Sequence, residues 1–293
     1  MQASWTSDYP LCHYPDDYPE TYAIQSAFNE TPPSVRLDTK VTCNSMEIHD
    51  MLSRDIFPWR LTTFRYVVIF NFDLLHKATE ISHRLTTFLV QAVNVETLHL
   101  SIQYPRSYIP EDPFSLRTSR GILPPIKELR LYNYDWPEDS EHFDLWDLSK
   151  LRSVCLNGTQ RQYMPFLDQV PQQVLQQLKS FDICSTAPLT SVFSKITPNM
   201  RDLLLPISPN MLNLESLTVA SPWAEFLNPS CFMNFPRLKE LDLVPFYNDI
   251  VHTSLKDDSL SLTEPAHLDI IRRFCPHLGT LSIVANVEDD MVG

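Results

Sequence analysis

Glycine is nearly missing from this chain: only Gly121, Gly158, Gly279 and Gly293 occur among 293 residues. Walker-type and dinucleotide-type phosphate loops need closely spaced glycines so that backbone N–H groups can approach the phosphates, and none of the four stands near another. Those nucleotide folds are excluded. HExxH, GxSxG and kinase-loop patterns are absent too, and the nine histidines are scattered singly. His76 and His83 stand two helical turns apart, too far to share one metal ion. Asp257 and Asp258 lack the alternating oxygen ligands of a calcium loop. The six cysteines, Cys12, Cys43, Cys155, Cys184, Cys231 and Cys275, form neither a CxxC pair nor a zinc spacing, and read as reduced thiols. No catalytic, cofactor or metal residues are assigned.

Positive charge is also in short supply. Lys and Arg total 23 against 36 Asp and Glu, a formal net charge of −13, which repels a phosphate backbone at long range. A nucleic-acid partner is not expected. No run reaches the roughly 18 apolar residues of a membrane span, and the start MQASWTSDYPL has neither a basic nor an apolar leader region. A cytoplasmic or nuclear location without membrane attachment is therefore expected. With 43% hydrophobic residues, the chain has the material for a large core.

What is abundant is one pattern, apolar-x-x-apolar-x-apolar. It appears as VETLHL from Val95, IKELRL from Ile126, LRSVCL from Leu151, LKSFDI from Leu178, LESLTV from Leu214, LKELDL from Leu238 and LGTLSI from Leu278, with FRYVVI from Phe64 as an eighth copy. In a strand the fourth and sixth positions share parity and point to one face, while the third and fifth point to the other. One unit cannot bury its apolar face alone, but stacked copies share a continuous core. MRDLLL from Met200 also fits the pattern, yet lies only 14 residues before the next copy, and reads as either an abbreviated repeat or a helical turn.

The copies resemble leucine-rich repeats, over roughly residues 61 to 287. Their spacing is irregular, 24 to 40 residues, and the Asn or Cys that regular repeats carry three places after the sixth position appears only as Asn286. The resemblance is to divergent repeat regions such as those of fungal F-box proteins, which carry segments like IKELRLYNYDW and WDLSKLRSVCL. It implies an α/β right-handed solenoid, with a curved parallel sheet on the concave side and helices or irregular segments on the convex side, that acts as a non-enzymatic protein-binding scaffold. The same resemblance offers an alternative role, as the substrate-recognition subunit of a cullin-type ubiquitin ligase that contacts the ligase adaptor, with the F-box absent or degenerate. No Leu-Pro-led F-box segment is legible in residues 1–60.

Three regions are expected: a disordered or loosely docked leader over residues 1–34, rich in Tyr-Pro and acidic residues; a cap region over 35–60 with a short helix from Ser45 to Asp55; and about seven to nine repeats over 61–293. Leu74, Ala78, Ile81, Leu85, Phe88, Leu89 and Ala92 predict a helix between the first two copies. A second is predicted from Glu264-Pro265, with Leu268, Ile271, Phe274 and Cys275 inward, ending at Pro276. Segments between Leu100 and Ile126, and between Leu131 and Leu151, should be irregular or hold single helical turns.

The alternate residues of each strand form the candidate partner surface, and the segments leaving the strands bring aromatics to one rim. Tyr132, Tyr134, Trp136, Trp223, Phe246 and Tyr247 are the candidate anchors for a protein partner, with Arg106 and Arg130 adding oriented charge. The competing expectation is that these aromatics fold back and seal the core.

Overall fold

The structure, a computed structural model, describes residues 40–43, 66–73, 78–103, 114–116, 121–138, 143–185, 203–221, 229–245 and 265–283. All eight copies of the motif form strands, and each strand starts at the motif's third position: β2 (Tyr66–Asp73), β3 (Thr97–Gln103), β4 (Glu128–Tyr132), β5 (Ser153–Gly158), β6 (Ser180–Ser185), β7 (Ser216–Ser221), β8 (Glu240–Pro245) and β9 (Thr280–Ile283). A further strand, β1 (Lys40–Cys43), precedes them. The nine strands form one sheet in sequence order, and every neighbouring pair is parallel. The chain is of the α/β class.

β1 falls in the region expected to be a cap. It pairs Val41 with Val67 and Cys43 with Ile69, so residues 40–43 take the place of the strand of a ninth copy. Asp38 stands where the first apolar residue belongs, which hid this copy from a hydrophobic pattern search.

The register is unbroken from copy to copy. Leu98, Leu129, Val154, Phe181, Leu217, Leu241 and Leu281 form one ladder, and Leu100, Leu131, Leu156, Ile183, Val219, Leu243 and Ile283 a second. Both run along one face, and from β3 to β7 every member is buried. Burial weakens at β9, where Leu281 is 39% exposed; among the described residues that strand has a neighbour on one side only.

The repeat also reaches three residues upstream of the motif. The first-position N–H of Val95, Leu151, Leu178, Leu214, Leu238 and Leu278 donates to the carbonyl of Ala92, Leu148, Leu175, Met211, Phe235 and Cys275 respectively, at 3.0 to 3.2 Å. All six acceptor residues are buried. Each of these six copies is therefore entered by a tight turn with an apolar residue at its head, and their working pattern is apolar-x-x-apolar-x-x-apolar-x-apolar.

The second position ties one copy to the next. The carbonyl of Glu96 accepts the N–H of Lys127 at 2.7 Å and of Glu128 at 3.1 Å, and the same double acceptance recurs at Lys127, Arg152, Lys179, Glu215 and Lys239. Two N–H groups on one carbonyl leave no freedom to slip by a residue, and a one-residue slip would turn the apolar ladders to the wrong face. Side chains at this position add charge pairing: Lys127 to Glu96 at 2.8 Å, and Glu215 held between Lys179 at 2.9 Å and Lys239 at 2.6 Å. Hydrogen bonds from Lys239 and Lys179 pull the Glu215 carboxyl down to about 2. These groups are solvent-accessible, so their contribution is small and screened by salt.

The core face is covered by helices and irregular segments. α1 (Ala78–Gln91) buries Leu85, Phe88 and Leu89 against it, on the stripe expected from the sequence. It also buries Ser82 and Thr86. Their hydroxyls are satisfied by the carbonyls of Ser115 and Ser82, as burial of a polar group demands. α2 (Gln160–Gln169) and α3 (Gln172–Gln177) lie between β5 and β6 and bury Tyr163, Phe166, Leu167, Val174 and Leu175. They were not anticipated, since Pro165 and Pro171 mask the helical period. α4 (Pro265–Phe274) precedes β9. Ile271 and Cys275 are buried as expected, but Leu268 is 38% exposed, as α4 serves the terminal copy. Burial pushes the Cys275 thiol up to about 11, so it is a packing group rather than a reactive one. Residues 203–207 form a turn that runs into a 3-10 segment, Ser208–Asn210, so the described part of MRDLLL is a helical turn and not a strand. The described parts of the two segments expected to be irregular contain only a single helical turn at 143–145. The leader and the short helix over Ser45 to Asp55 lie outside the described residues.

Leu129 is completely buried at the centre of this stack. Leu129→Ala is expected to cost about 2–5 kcal/mol in urea denaturation, and Leu129→Asp to abolish the cooperative transition, because an unpaired buried carboxylate costs at least several kcal/mol.

Candidate functional site

The face opposite the core carries three ladders from the third, fifth and seventh positions. The first runs Thr97, Glu128, Ser153, Ser180, Ser216, Glu240 and Thr280; the second His99, Arg130, Cys155, Asp182, Thr218, Asp242 and Ser282; the third Ser101, Tyr132, Asn157, Cys184 and Ala220. Most are small and polar. We call this the open face, since Glu128, Arg130, Ser153, Asn157, Ser180, Asp182, Ser216, Thr218 and Asp242 are all part-exposed and Glu240 is exposed.

Of the eight candidate partner-binding residues, the structure brings two to this face. Arg130 and Tyr132 both project from β4, two residues apart. The Arg130 Nε donates to Glu128 Oε1 at 2.6 Å. Burial works against the Arg130 charge, but Glu128, with smaller help from Cys155 and Tyr132, more than offsets it and holds the guanidinium pKa above its ordinary value. Tyr132 is not an exposed anchor. Its ring lies 4.9 Å from that of His99, its hydroxyl is 3.8 Å from Cys155 Sγ, and it is only 9% exposed. It forms the floor of the open face.

Tyr134 and Trp136, expected on the rim, belong to the core, and the core-sealing alternative holds for both. Asn133 causes the turn inward. It adopts a left-handed backbone with φ 52°, which Asn tolerates better than most residues; its Nδ2 donates to the Ile102 carbonyl at 3.0 Å and its N–H to the Asn157 carbonyl at 2.7 Å. The chain then folds over α2, where the Trp136 N–H meets the Gln162 carbonyl at 3.0 Å. The Tyr134 hydroxyl accepts the Leu116 N–H at 2.8 Å. The Trp136 rings sit 4.9 Å from Phe166, 5.0 Å from Trp146 and 5.5 Å from both Tyr134 and Phe143. Five aromatics thus form one cluster, four of them buried and Phe143 half-buried at its edge. Arg106, Trp223, Phe246 and Tyr247 lie outside the described residues.

The residues that the rim expectation passed over are Asp182 and Asp242. They stand in the same ladder, two strands apart with Thr218 between them. Burial pushes the Asp182 carboxyl up; the Thr218 hydroxyl bond and the Arg130 charge pull it down, Asp242 and Glu128 push it up again, and the net direction is up. Asp242 Oδ1 is buried without a hydrogen-bond partner among the described residues. The signal was legible in the sequence as the D of LKSFDI and of LKELDL, both at the fifth position. Across β3 to β9, Glu128, Asp182, Glu240 and Asp242 oppose the single Arg130 on this face, an excess of three negative charges when all are ionised.

Among the described residues no group of three or more His, Cys, Asp or Glu side chains could hold a metal ion, and no helix is long and apolar enough to cross a membrane. No protein-family model matches the chain, and no curated protein matches it.

Trp136→Ala is expected to cost about 3–5 kcal/mol in chemical denaturation. Trp136→Phe should cost clearly less, since it keeps the ring packing and removes an indole N–H that has no acceptor among the described residues. Asp182 gives a pH signature. A carboxyl raised by folding contributes stability in full below the unfolded value of about 3.9, and that contribution is lost as pH rises through the folded value. Asp182→Asn should therefore remove part of the decline in stability above about pH 4 and leave the protein at least as stable as wild type at pH 7, measured by urea midpoints across that range.

Proposed function

We propose that the chain is a non-enzymatic protein-binding module of the leucine-rich-repeat type, a right-handed solenoid whose curved sheet offers its open, concave face to a partner protein. The observation that carries this reading is the register. Eight strands begin at the same motif position and stack in parallel and in sequence order, so that one face is spent on the core while the other repeats short polar side chains. A sheet of this kind gives an extended surface on which a partner can make many contacts without the module changing shape. The acidic excess favours a partner of opposite charge. The absence of nucleotide, hydrolase and kinase motifs in the sequence agrees with binding rather than turnover.

The test is affinity purification from an extract of cells that express the protein, followed by mass spectrometry. Full-length chain is compared with an Arg130→Glu, Ser216→Arg double variant, and unfolding curves establish that both remain folded. A partner recovered with the first and lost with the second is the expected outcome; recovery in equal amounts would contradict use of the open face. Recovery of a cullin-ligase adaptor and cullin subunit would assign the module to substrate recognition in a ubiquitin ligase.

A further inference from the structure

The fifth-position ladder alternates large charged residues with small ones: Arg130 on β4, Cys155 on β5, Asp182 on β6, Thr218 on β7, Asp242 on β8 and Ser282 on β9. Neighbouring strands lie about 4.8 Å apart, so successive charges stand roughly 10 Å apart with a short side chain between them. On its β4 side Asp182 has a cation two strands away, and the Arg130 charge acts favourably on it. On the β8 side, at the same separation, it meets a second carboxylate. Charge alternation is broken at that place, above Thr218.

The surrounding groups do not repair the break. Arg130 is engaged by Glu128 at 2.6 Å. The neighbouring first-ladder residues are Ser180, Ser216 and Glu240, and the third-ladder residues beside them are Cys184 and Ala220; none supplies a positive charge. The lysines just before β6 and β8, Lys179 and Lys239, sit at the second position and are held by Glu215. Asp242 Oδ1 meanwhile is buried with no hydrogen-bond donor among the described residues, so this carboxylate has an unmet demand for a donor. A metal ion does not fit, because these carboxylates stand too far apart to converge on one: no metal-holding group of three exists among the described residues.

Resting on the reading of the open face as a partner surface, we infer that this face receives a basic side chain of the partner protein, arginine by preference, seated over Thr218 between Asp182 and Asp242. A guanidinium carries five N–H donors in a planar fork and can address carboxylates on two sides at once, whereas an ammonium acts as a single compact charge. Thr218 is short enough to leave the seat vacant of bulk, and its hydroxyl already holds Asp182 in place. The seated cation restores the order of positive, negative, positive, negative along the ladder. Arg130 then acts as the register mark, since it repels a second basic residue placed two strands too early.

The experiment is selection of a displayed library of random twelve-residue peptides on the full-length chain. Enriched peptides are expected to share one arginine. Replacing that arginine by glutamine should weaken binding at least tenfold, as should Asp242→Asn and Asp182→Asn in the chain, and the peptide and chain changes together should cost little more than either alone. Lysine in the peptide should bind more weakly than arginine. The two Asn variants keep side-chain shape and are expected to keep wild-type thermal midpoints or exceed them, so weaker binding cannot be ascribed to unfolding. Enriched peptides without a basic residue, or peptides that bind the Asn variants as tightly as wild type, would overturn the inference. In that case loss of binding to Ser216→Arg would leave the open-face reading standing, and unchanged binding to it would overturn that reading as well. A failure to enrich any peptide would contradict both.

Discussion

The stacking of the strands from β3 to β9 depends on one carbonyl in each copy. At the second motif position of six copies, from Glu96 to Lys239, a single backbone oxygen accepts two N–H groups from the next copy, and that pair of hydrogen bonds fixes the phase of the next strand against its neighbour. Phase decides which residues are core. With the third positions aligned from Tyr66 to Thr280, the fourth and sixth fall into two apolar ladders and the third, fifth and seventh into three polar ones. The hydrophobic term is the larger source of stability, but it is non-directional; the paired hydrogen bonds and the Lys–Glu contacts beside them select one register from several that would bury similar area.

The same constraint explains why insertions of different length are tolerated between copies. The strand and the turn before it are fixed in length, while the return segment is not. It is a long helix before β3, two short helices between β5 and β6, and a 3-10 turn before β7 and β8. Each needs only to deliver an apolar residue three places before the motif and to cover the ladders below. A loop can lengthen at small entropic cost, provided its ends meet the fixed turn. The irregular spacing from copy to copy is thus compatible with a regular sheet, because regularity is required only over about ten residues per copy.

The strands were legible because parity and spacing are local: Leu129 and Leu131 declare the inward face of β4 without knowledge of any other copy. β1 was not, since Asp38 breaks the pattern and only Val41 and Cys43 remain to mark it. The helices between β5 and β6 were obscured by Pro165 and Pro171, which suit a helix only where the lost N–H bond can be spared. The aromatics after β4 show the limit most clearly. Sequence places Tyr134 and Trp136 at a strand exit, from which they could go either way, and the choice is made by Asn133, whose left-handed backbone and bond to Ile102 turn the chain toward α2. On the open face, Arg130 was recognised as a charged candidate, whereas the relation between Asp182 and Asp242 exists only after three strands have been stacked in register.

The central claim is that copies of the motif are neighbours in sequence order and in a single register. Methyl-selective NMR on protein labelled at Leu and Val tests it directly, through nuclear Overhauser contacts from Leu129 and Leu131. The account expects Leu129 to contact Leu98 and Val154, and Leu131 to contact Leu100 and Leu156, with stronger contacts within a ladder than across the two. Contacts from Leu129 to residues of a non-adjacent copy, or a pattern shifted by one residue, would contradict it.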